Sequence, residues 1–339
     1  VYANYQWGFI VVTAMNNPIL SVSNLFVSFE RKHPSDALRA VDGVSFNLFP
    51  REVLGLVGES GCGKTTLSRA IMGLTPINSG SVVLRGTDLT KLPADQLRKQ
   101  RAKMQMVFQD PYASLNPRMT VYSMVSEPLL FHRKIASADC PLEAAGLLGM
   151  VGLDIGSMRK FPHEFSGGQR QRIAIARALA VGPELIIADE PVSALDVSVQ
   201  AQILNLLSDL RKDMGLAMLF ISHDLSVVRY ISDRIAVMFN GKIVEIGMRD
   251  EVFGSPLHPY TQALLAAIPV ADPDHSYSAP LQPAFSRQPS DEELDKGCPY
   301  AERCHYALSN CKTIVPLLEP IMEGETHNAA CIRKHEFKV

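Results

Sequence analysis

The run GESGCGKTT, residues 58–66, has the spacing G-x-x-x-x-G-K-[ST] and sits between an apolar stretch and a helical one. A loop of this kind turns successive backbone N–H groups inward and cradles phosphate oxygens. Gly58, Gly61 and Gly63 give the loop its freedom, and Glu59, Ser60, Cys62 and Thr66 complete it. Lys64 brings a positive charge to the β- and γ-phosphates, and the Thr65 hydroxyl is a ligand for Mg²⁺. Asp189 ends the apolar run LIIAD, where its carboxylate can hold Mg²⁺ through water; Glu190 follows and can polarise an attacking water. His223 and Gln109 end two further apolar runs, AMLFIS and MVF. Ligands in open α/β sheets sit at such strand ends. His223 is therefore expected to reach the γ-phosphate, and the Gln109 carbonyl to reach Mg²⁺ or the water.

A second anion cradle follows a hundred residues on. Ser166, Gly167, Gly168 and Gln169 precede the helical stretch RIAIARALA, so a hydroxyl and freed N–H groups meet the positive end of a helix dipole. It has no lysine. A third group is Cys298, Cys304, Cys311 and Cys331, spaced C-x₅-C-x₆-C-x₁₉-C. Paired C-x₂-C knuckles would read as structural zinc, and these gaps do not. Four thiolates in a short segment still suit one centre, and Cys₄ ligation suits a 4Fe–4S cluster. Zinc and four free thiols are the alternatives.

The elements that must position these residues alternate. Leu25, Val27 and Phe29, then Val44, Phe46 and Leu48, have the period of strands. VLGLVG, LIIADE and AMLFISHD are continuous apolar runs, as in parallel strands buried on both faces. Ile203, Leu206, Leu207 and Leu210 share one helix face, and Asn240-Gly241 suits a hairpin turn. The pattern predicts an α/β layer fold with a parallel sheet. Residues 110–165 read as a helical insertion, residues 1–17 as a disordered tail, and the composition shifts to proline-rich sequence from about 255. There is no internal repeat.

The chain has 339 residues, 47% of them hydrophobic, with a formal net charge of −2. That balance argues against a general binder of nucleic acid or anionic membrane. No apolar run reaches the ~18–20 residues a membrane span needs.

Taken in order, GESGCGKTT, Gln109, FSGGQ, LIIADEP, SALD and ISHD resemble the motifs of an ABC-type ATPase, the nucleotide-binding subunit of an ABC transporter, over residues 18–255. The resemblance implies a P-loop NTPase (RecA-like) cassette with an antiparallel β subdomain, a helical subdomain and a small C-terminal extension over 256–339. It implies ATP as ligand with Mg²⁺ at Thr65, Gln109 and Asp189, and hydrolysis by Glu190 with His223 and Gln109. Phe29 resembles the aromatic that stacks on adenine. Ser166 to Gln169 resemble the signature motif, and Ser193 to Asp196 the D-loop. Two positions depart mildly: Phe165 stands where leucine is usual, and Phe29 where tyrosine is common.

In that family two cassettes pack head to tail, each ATP lying between one P-loop and the other subunit's signature motif. The second cradle, with Asp196, would then serve the partner's γ-phosphate. SPLHPYTQALLAAIP (255–269), QDPYASLNPRMTV (109–121) and CPYAERCHYALSNC (298–311) resemble the oligopeptide/dipeptide and nickel importer group. Some ATPases of that group carry a 4Fe–4S cluster in this tail, with Pro299, Tyr300 and Tyr306 here expected to shield it. The implied partners are a paralogous second cassette, two transmembrane permease subunits and, indirectly, a substrate-binding protein, with no nucleic acid. The implied place is the cytoplasmic face of the inner membrane, and the implied work is import of di- or oligopeptides. Nickel and glutathione are alternative cargoes. A soluble ABC ATPase of DNA repair or chromosome maintenance is the rival class, but it needs a long coiled coil that the sequence does not provide.

Overall fold

The computed structural model describes residues 17–29, 38–133, 135–268, 296–322 and 324–337. Most of the expected N-terminal tail and the proline-rich linker lie outside them. The strands are β1 Leu20–Phe29, β2 Leu38–Leu48, β3 Val53–Val57, β4 Ser79–Leu84, β5 Thr87–Asp88, β6 Met104–Val107, β7 Leu185–Asp189, β8 Ala217–Ser222, β9 Arg234–Phe239, β10 Lys242–Met248, β11 Glu319–Pro320 and β12 Asn328–Ala329. The helices are α1 Lys64–Ile71, α2 Ala94–Arg101, α3 Pro111–Ser114, α4 Val121–Pro128, α5 Cys140–Met150, α6 Gly167–Leu179, α7 Val197–Met214, α8 Leu225–Ile231, α9 Arg249–Gly254 and α10 Pro259–Ala266.

Two sheets result. β2-β1-β4-β5 form an antiparallel sheet, and β11-β12-β10-β9-β3-β8-β7-β6 form the main one. Within the latter, β9, β3, β8, β7 and β6 run parallel. The apolar runs are continuous because this sheet is covered on both sides. Val53 and Val57, Ile186 and Ala188, and Met218 and Phe220 face one core, shared with α6, α7 and the helical segment. Leu54 and Leu56, Leu185 and Ile187, and Leu219 and Ile221 face the other, shared with α1 and the antiparallel sheet. A one-residue slip of any strand would exchange its two faces.

Ile203, Leu207 and Leu210 of α7 are buried, as the helical period requires, and Leu204 joins them. Asn240 and Gly241 take φ of 42° and 80°, the left-handed pair that closes the β9–β10 hairpin. α3, α4 and α5 pack onto α6, with Val121, Met124, Val125 and Leu148 buried between them.

The C-terminal segment is stitched into the main sheet. β12 pairs with β10 (Glu245↔Ala329, Ile246↔Asn328), and β11 with β12. Glu245 is fully buried. Its carboxylate accepts N–H bonds from Leu257 at 2.8 Å and His258 at 2.9 Å, and lies 2.8 Å from Nε2 of His327. Those contacts satisfy a charge that would otherwise oppose burial. No helix among the described residues is long and apolar enough to cross a membrane.

Candidate active site

β3 ends at Val57 and α1 begins at Lys64, so the loop 58–63 spans a strand end and a helix start. Gly63 is the N-cap of α1 with φ 109°, and a Cβ there would lie 2.0 Å from the Ala40 carbonyl oxygen. Only glycine closes the loop. No side chain caps α1, and its first turn holds no acidic residue, so its leading N–H groups face outward without a side-chain acceptor. Lys64 is 5% exposed, and its Nζ donates to the carbonyls of Gly58 at 2.8 Å and Glu59 at 2.9 Å. The loop is wrapped around its own cation. Cys62 lies beneath it with Sγ 3.8 Å from Nζ; burial pushes its thiol up, against the opposing pull of Lys64.

Thr65 Oγ1 donates to Asp189 Oδ1 at 3.2 Å, bringing a hydroxyl and a carboxylate together at the end of β7. Ser68 Oγ approaches the other carboxylate oxygen at 3.5 Å. Burial raises the Asp189 pKa, the Thr65 hydrogen bond lowers it, and the charge of Glu190 raises it again. A carboxylate under that pressure, beside a hydroxyl, is a hard oxygen site suited to a small divalent cation such as Mg²⁺.

Glu190 is held from two sides. Gln109 Nε2 donates to its Oε2 at 3.0 Å, and His223 Nδ1 lies 3.2 Å from the same oxygen. The residues that end β6, β7 and β8 thus meet at one carboxylate, with the Gln109 carbonyl oxygen left over for a ligand. Glu190 has φ 48°, unusual for a residue with a side chain. Its N–H donates to Ile221 O, and its carbonyl accepts from Ser193 N–H and Oγ, so both flanks hold the strained backbone. Phe29, the last residue of β1, is 44% exposed, an aromatic ring left uncovered at a strand end.

The second cradle is built differently. Ser166 is the N-cap of α6: its Oγ accepts the Gln169 N–H at 3.4 Å, and its own N–H donates to Gln169 Oε1 at 3.1 Å. The hydroxyl hydrogen and the Gly167 and Gly168 N–H groups are not used by this capping box. A Cβ on Gly168 would lie 2.3 Å from Val199 Cγ1, so the glycine lets α6 approach α7. Asp196 precedes α7 without capping it, and its carboxylate is not spent on its own helix. Among the described residues no hydrogen bond joins Ser166–Gln169 to the loop 58–66. Phe165, which precedes the cradle, is buried in the core.

All four C-terminal cysteines line one cavity, with His258, Tyr300 and Tyr306. Pro299, expected to shield them, lines a different cavity beside the antiparallel sheet. Burial raises the Cys298, Cys304 and Cys331 thiols, and the backbone N–H groups of Tyr300, Tyr306 and Arg333, each two residues on, oppose that rise. Cys311 Sγ accepts from Leu308 N–H at 3.3 Å. Burial pushes the Cys298 thiol up to about 12 and the Cys331 thiol to about 11.

Two contacts to the loop carried no sequence signal. Arg303 pairs with Glu59, and Tyr260 Oη accepts the Glu59 N–H at 2.9 Å. They lie 244 and 201 residues from their partner, beyond any local periodicity.

Residues 41–193 match the ABC transporter family, and residues 244–311 match the oligopeptide/dipeptide transporter C-terminal region. The chain is 46% identical over 323 residues to the oligopeptide transport ATP-binding protein OppF of Salmonella typhimurium, covering 93% of this chain and 96% of that protein. OppF of Escherichia coli is 45% identical over 330 residues, covering 95% and 98%. A solved dimer of the ATP-binding cassette MJ0796 bound to ADP and Pi has a TM-score of 0.63 and 30% identity, covering 68% of this chain and 98% of that one. The chain belongs to the ABC transporter family of ATPases, in the branch that carries the oligopeptide/dipeptide transporter C-terminal region.

Proposed function

We propose that this ATPase powers import of di- or oligopeptides through a membrane transporter. The observation that carries the reading is the union, in one chain, of the gripped Glu190 carboxylate and an extension of the peptide-transporter type, stitched into the same sheet. The partners are a second, paralogous cassette, two transmembrane permease subunits and, at one remove, a substrate-binding protein. The chain works at the cytoplasmic face of the inner membrane, held there by the permeases. Tyr112, Phe131, Leu142 and Ile155 in the helical segment are exposed apolar side chains, suited to receive permease loops near Gln109. A net charge of −2 leaves the DNA-repair rival without an electrostatic footprint for nucleic acid.

When bound, Mg²⁺ at Thr65 and Asp189, with the Gln109 carbonyl, supplies charge neutralisation on the β- and γ-phosphates. Lys64 and the free N–H groups of α1 hold the phosphates in place. Glu190 orients the attacking water through Oε1, since Oε2 is occupied, and His223 stands beside it at the γ-phosphate. Phe29 offers its ring to adenine. In cells carrying this transporter, Lys64→Ala should abolish ATP-dependent uptake of a labelled tripeptide. Intact tripeptide uptake with lost nickel or glutathione uptake would transfer the reading to those cargoes.

We infer further that Cys298, Cys304, Cys311 and Cys331 hold a 4Fe–4S cluster. Among the described residues no group of His, Cys, Asp and Glu is set to hold a metal ion. A cluster is larger than an ion and takes its four thiolates from around a cavity, and all four cysteines line one cavity here, which supports the reading. Cys311 Sγ accepts the Leu308 N–H, a bond that favours thiolate over thiol. His258, 1% exposed, lines the same cavity; its Nδ1 accepts the Tyr260 N–H, so Nε2 carries the proton and has no partner. An orphaned buried donor fits an anionic guest. The cluster would staple a segment with little core of its own. Protein purified anaerobically should be brown and hold about four iron atoms per chain, lost on Cys→Ser substitution. Colourless anaerobic protein with stoichiometric zinc, or with no metal, would refute this.

A further inference from the structure

Every polar group of Glu59 is engaged, each by a different part of the molecule. Its carboxylate takes both arms of the Arg303 guanidinium, Nη1 at 2.9 Å and Nη2 at 2.7 Å. Its N–H donates to the Tyr260 hydroxyl. Its carbonyl accepts from Lys64 Nζ, the cation of the phosphate cradle. One residue of the loop therefore joins the phosphate-binding lysine to two residues of the C-terminal segment.

Arg303 is itself held firmly. Its guanidinium lies 5.5 Å from the ring centres of both Phe239 and Tyr300. Those rings pack with Tyr260 in a triangle of 4.6, 5.3 and 5.4 Å. Tyr260 and Tyr300 are almost wholly buried, which restrains the arginine's long side chain. The Nε of Arg303 is buried without a partner. The fold tolerates that cost while the forked end is spent on Glu59. An ordinary surface ion pair would show neither the ring cage nor the orphaned donor.

Arg303 also immediately precedes Cys304. The turn 298–304 is closed by Ala301 N–H to Cys298 O and Arg303 N–H to Tyr300 O, and it carries two of the four cavity thiols. We propose that Arg303 is a positioning residue for the P-loop, and that through it the filling of the cysteine cavity sets the affinity for ATP. The second half rests on the cysteines holding a metal cluster. Tied to a common centre, the turn is rigid and holds Arg303 against Glu59. With the thiols untied, the turn loosens, Glu59 swings free, and the loop around Lys64 loses its outer brace.

The test is equilibrium binding of ATP to the full-length chain, with iron content and melting temperature measured on each sample. Arg303→Ala should keep its iron and weaken ATP binding about tenfold, as should Glu59→Gln, and the double variant should be no worse than either single one. Arg303→Lys keeps the charge without the fork and should recover only part of the affinity. Cys304→Ser should lose iron and show the same weakening, with no further loss when Arg303→Ala is added. A merely stabilising role would lower the melting temperature and leave ATP affinity unchanged in the folded protein. Unchanged affinity in Arg303→Ala overturns the positioning role. Iron-loaded wild type with unchanged affinity in Cys304→Ser overturns the coupling and leaves the cluster standing. Iron-free wild type with weakened Arg303→Ala overturns the cluster and leaves the positioning role standing.

Discussion

Glu190→Gln is expected to bind ATP and to hydrolyse it at least ~10²-fold more slowly, the scale of lost general-base assistance. Gln109 Nε2 donates to Oε2 and His223 Nδ1 lies 3.2 Å from the same oxygen, so the geometry leaves the other carboxylate oxygen to accept a proton from water. An amide in the same place keeps the volume and loses the proton acceptor. Binding should survive for a reason visible at Asp189. The charge of Glu190 is one cause that raises the Asp189 pKa, so removing it makes Asp189 easier to ionise beside Thr65. Nucleotide-loaded dimers should therefore accumulate. Phosphate release by the assembled transporter is the measurement, and undiminished turnover would end the assignment of Glu190.

Lys64→Ala and Ser166→Arg should fail in opposite subunits. Lys64 is buried in the centre of its own loop, bonded to Gly58 and Glu59, and its removal strips the phosphate charge from this chain's own site. Binding of ATP by the same chain should collapse. Ser166 belongs to a helix cap with no hydrogen bond to that loop among the described residues. Arginine there costs about 1 kcal/mol of capping and adds a bulky cation at an outward-facing anion cradle. Own-site ATP binding should remain, while dimer closure and hydrolysis at the composite site should stop. Equilibrium dialysis and the elution volume of the ATP-loaded chain separate the outcomes. If each variant lost only its own ATP affinity, the two-subunit site would be the wrong geometry.

The parts of this molecule that sequence reveals are those where one short segment carries both an element and its chemistry. LIIADE is a strand and its terminal carboxylates at once, because apolar continuity marks the buried strand and the first polar residues mark its end. The same holds for AMLFISH and for the N-capped α6. Glu59 shows the other case. It reads as a filler position of the loop, and only the fold brings Arg303 and Tyr260 to it. β11 and β12 have two residues each, too short for any alternation to register. Phe29 continues the period of Leu25 and Val27 yet is exposed where they are buried, since periodicity reports a face and not what covers it.

Glu245 bears on how such proteins can be recombined. Its carboxylate sits in β10, and its hydrogen-bond partners come from residues 257, 258 and 327. The C-terminal residues are thus tied to the main sheet through one buried side chain of β10. A graft of the residues beyond β10 onto a foreign sheet must meet an acid at this strand position, or bury three donors with nothing to accept them. Excision must likewise replace residue 245 with an apolar side chain, or strand a carboxylate at the cut edge, at roughly 3–5 kcal/mol if it stays enclosed. Shuffling by whole segments is therefore constrained by a single side chain.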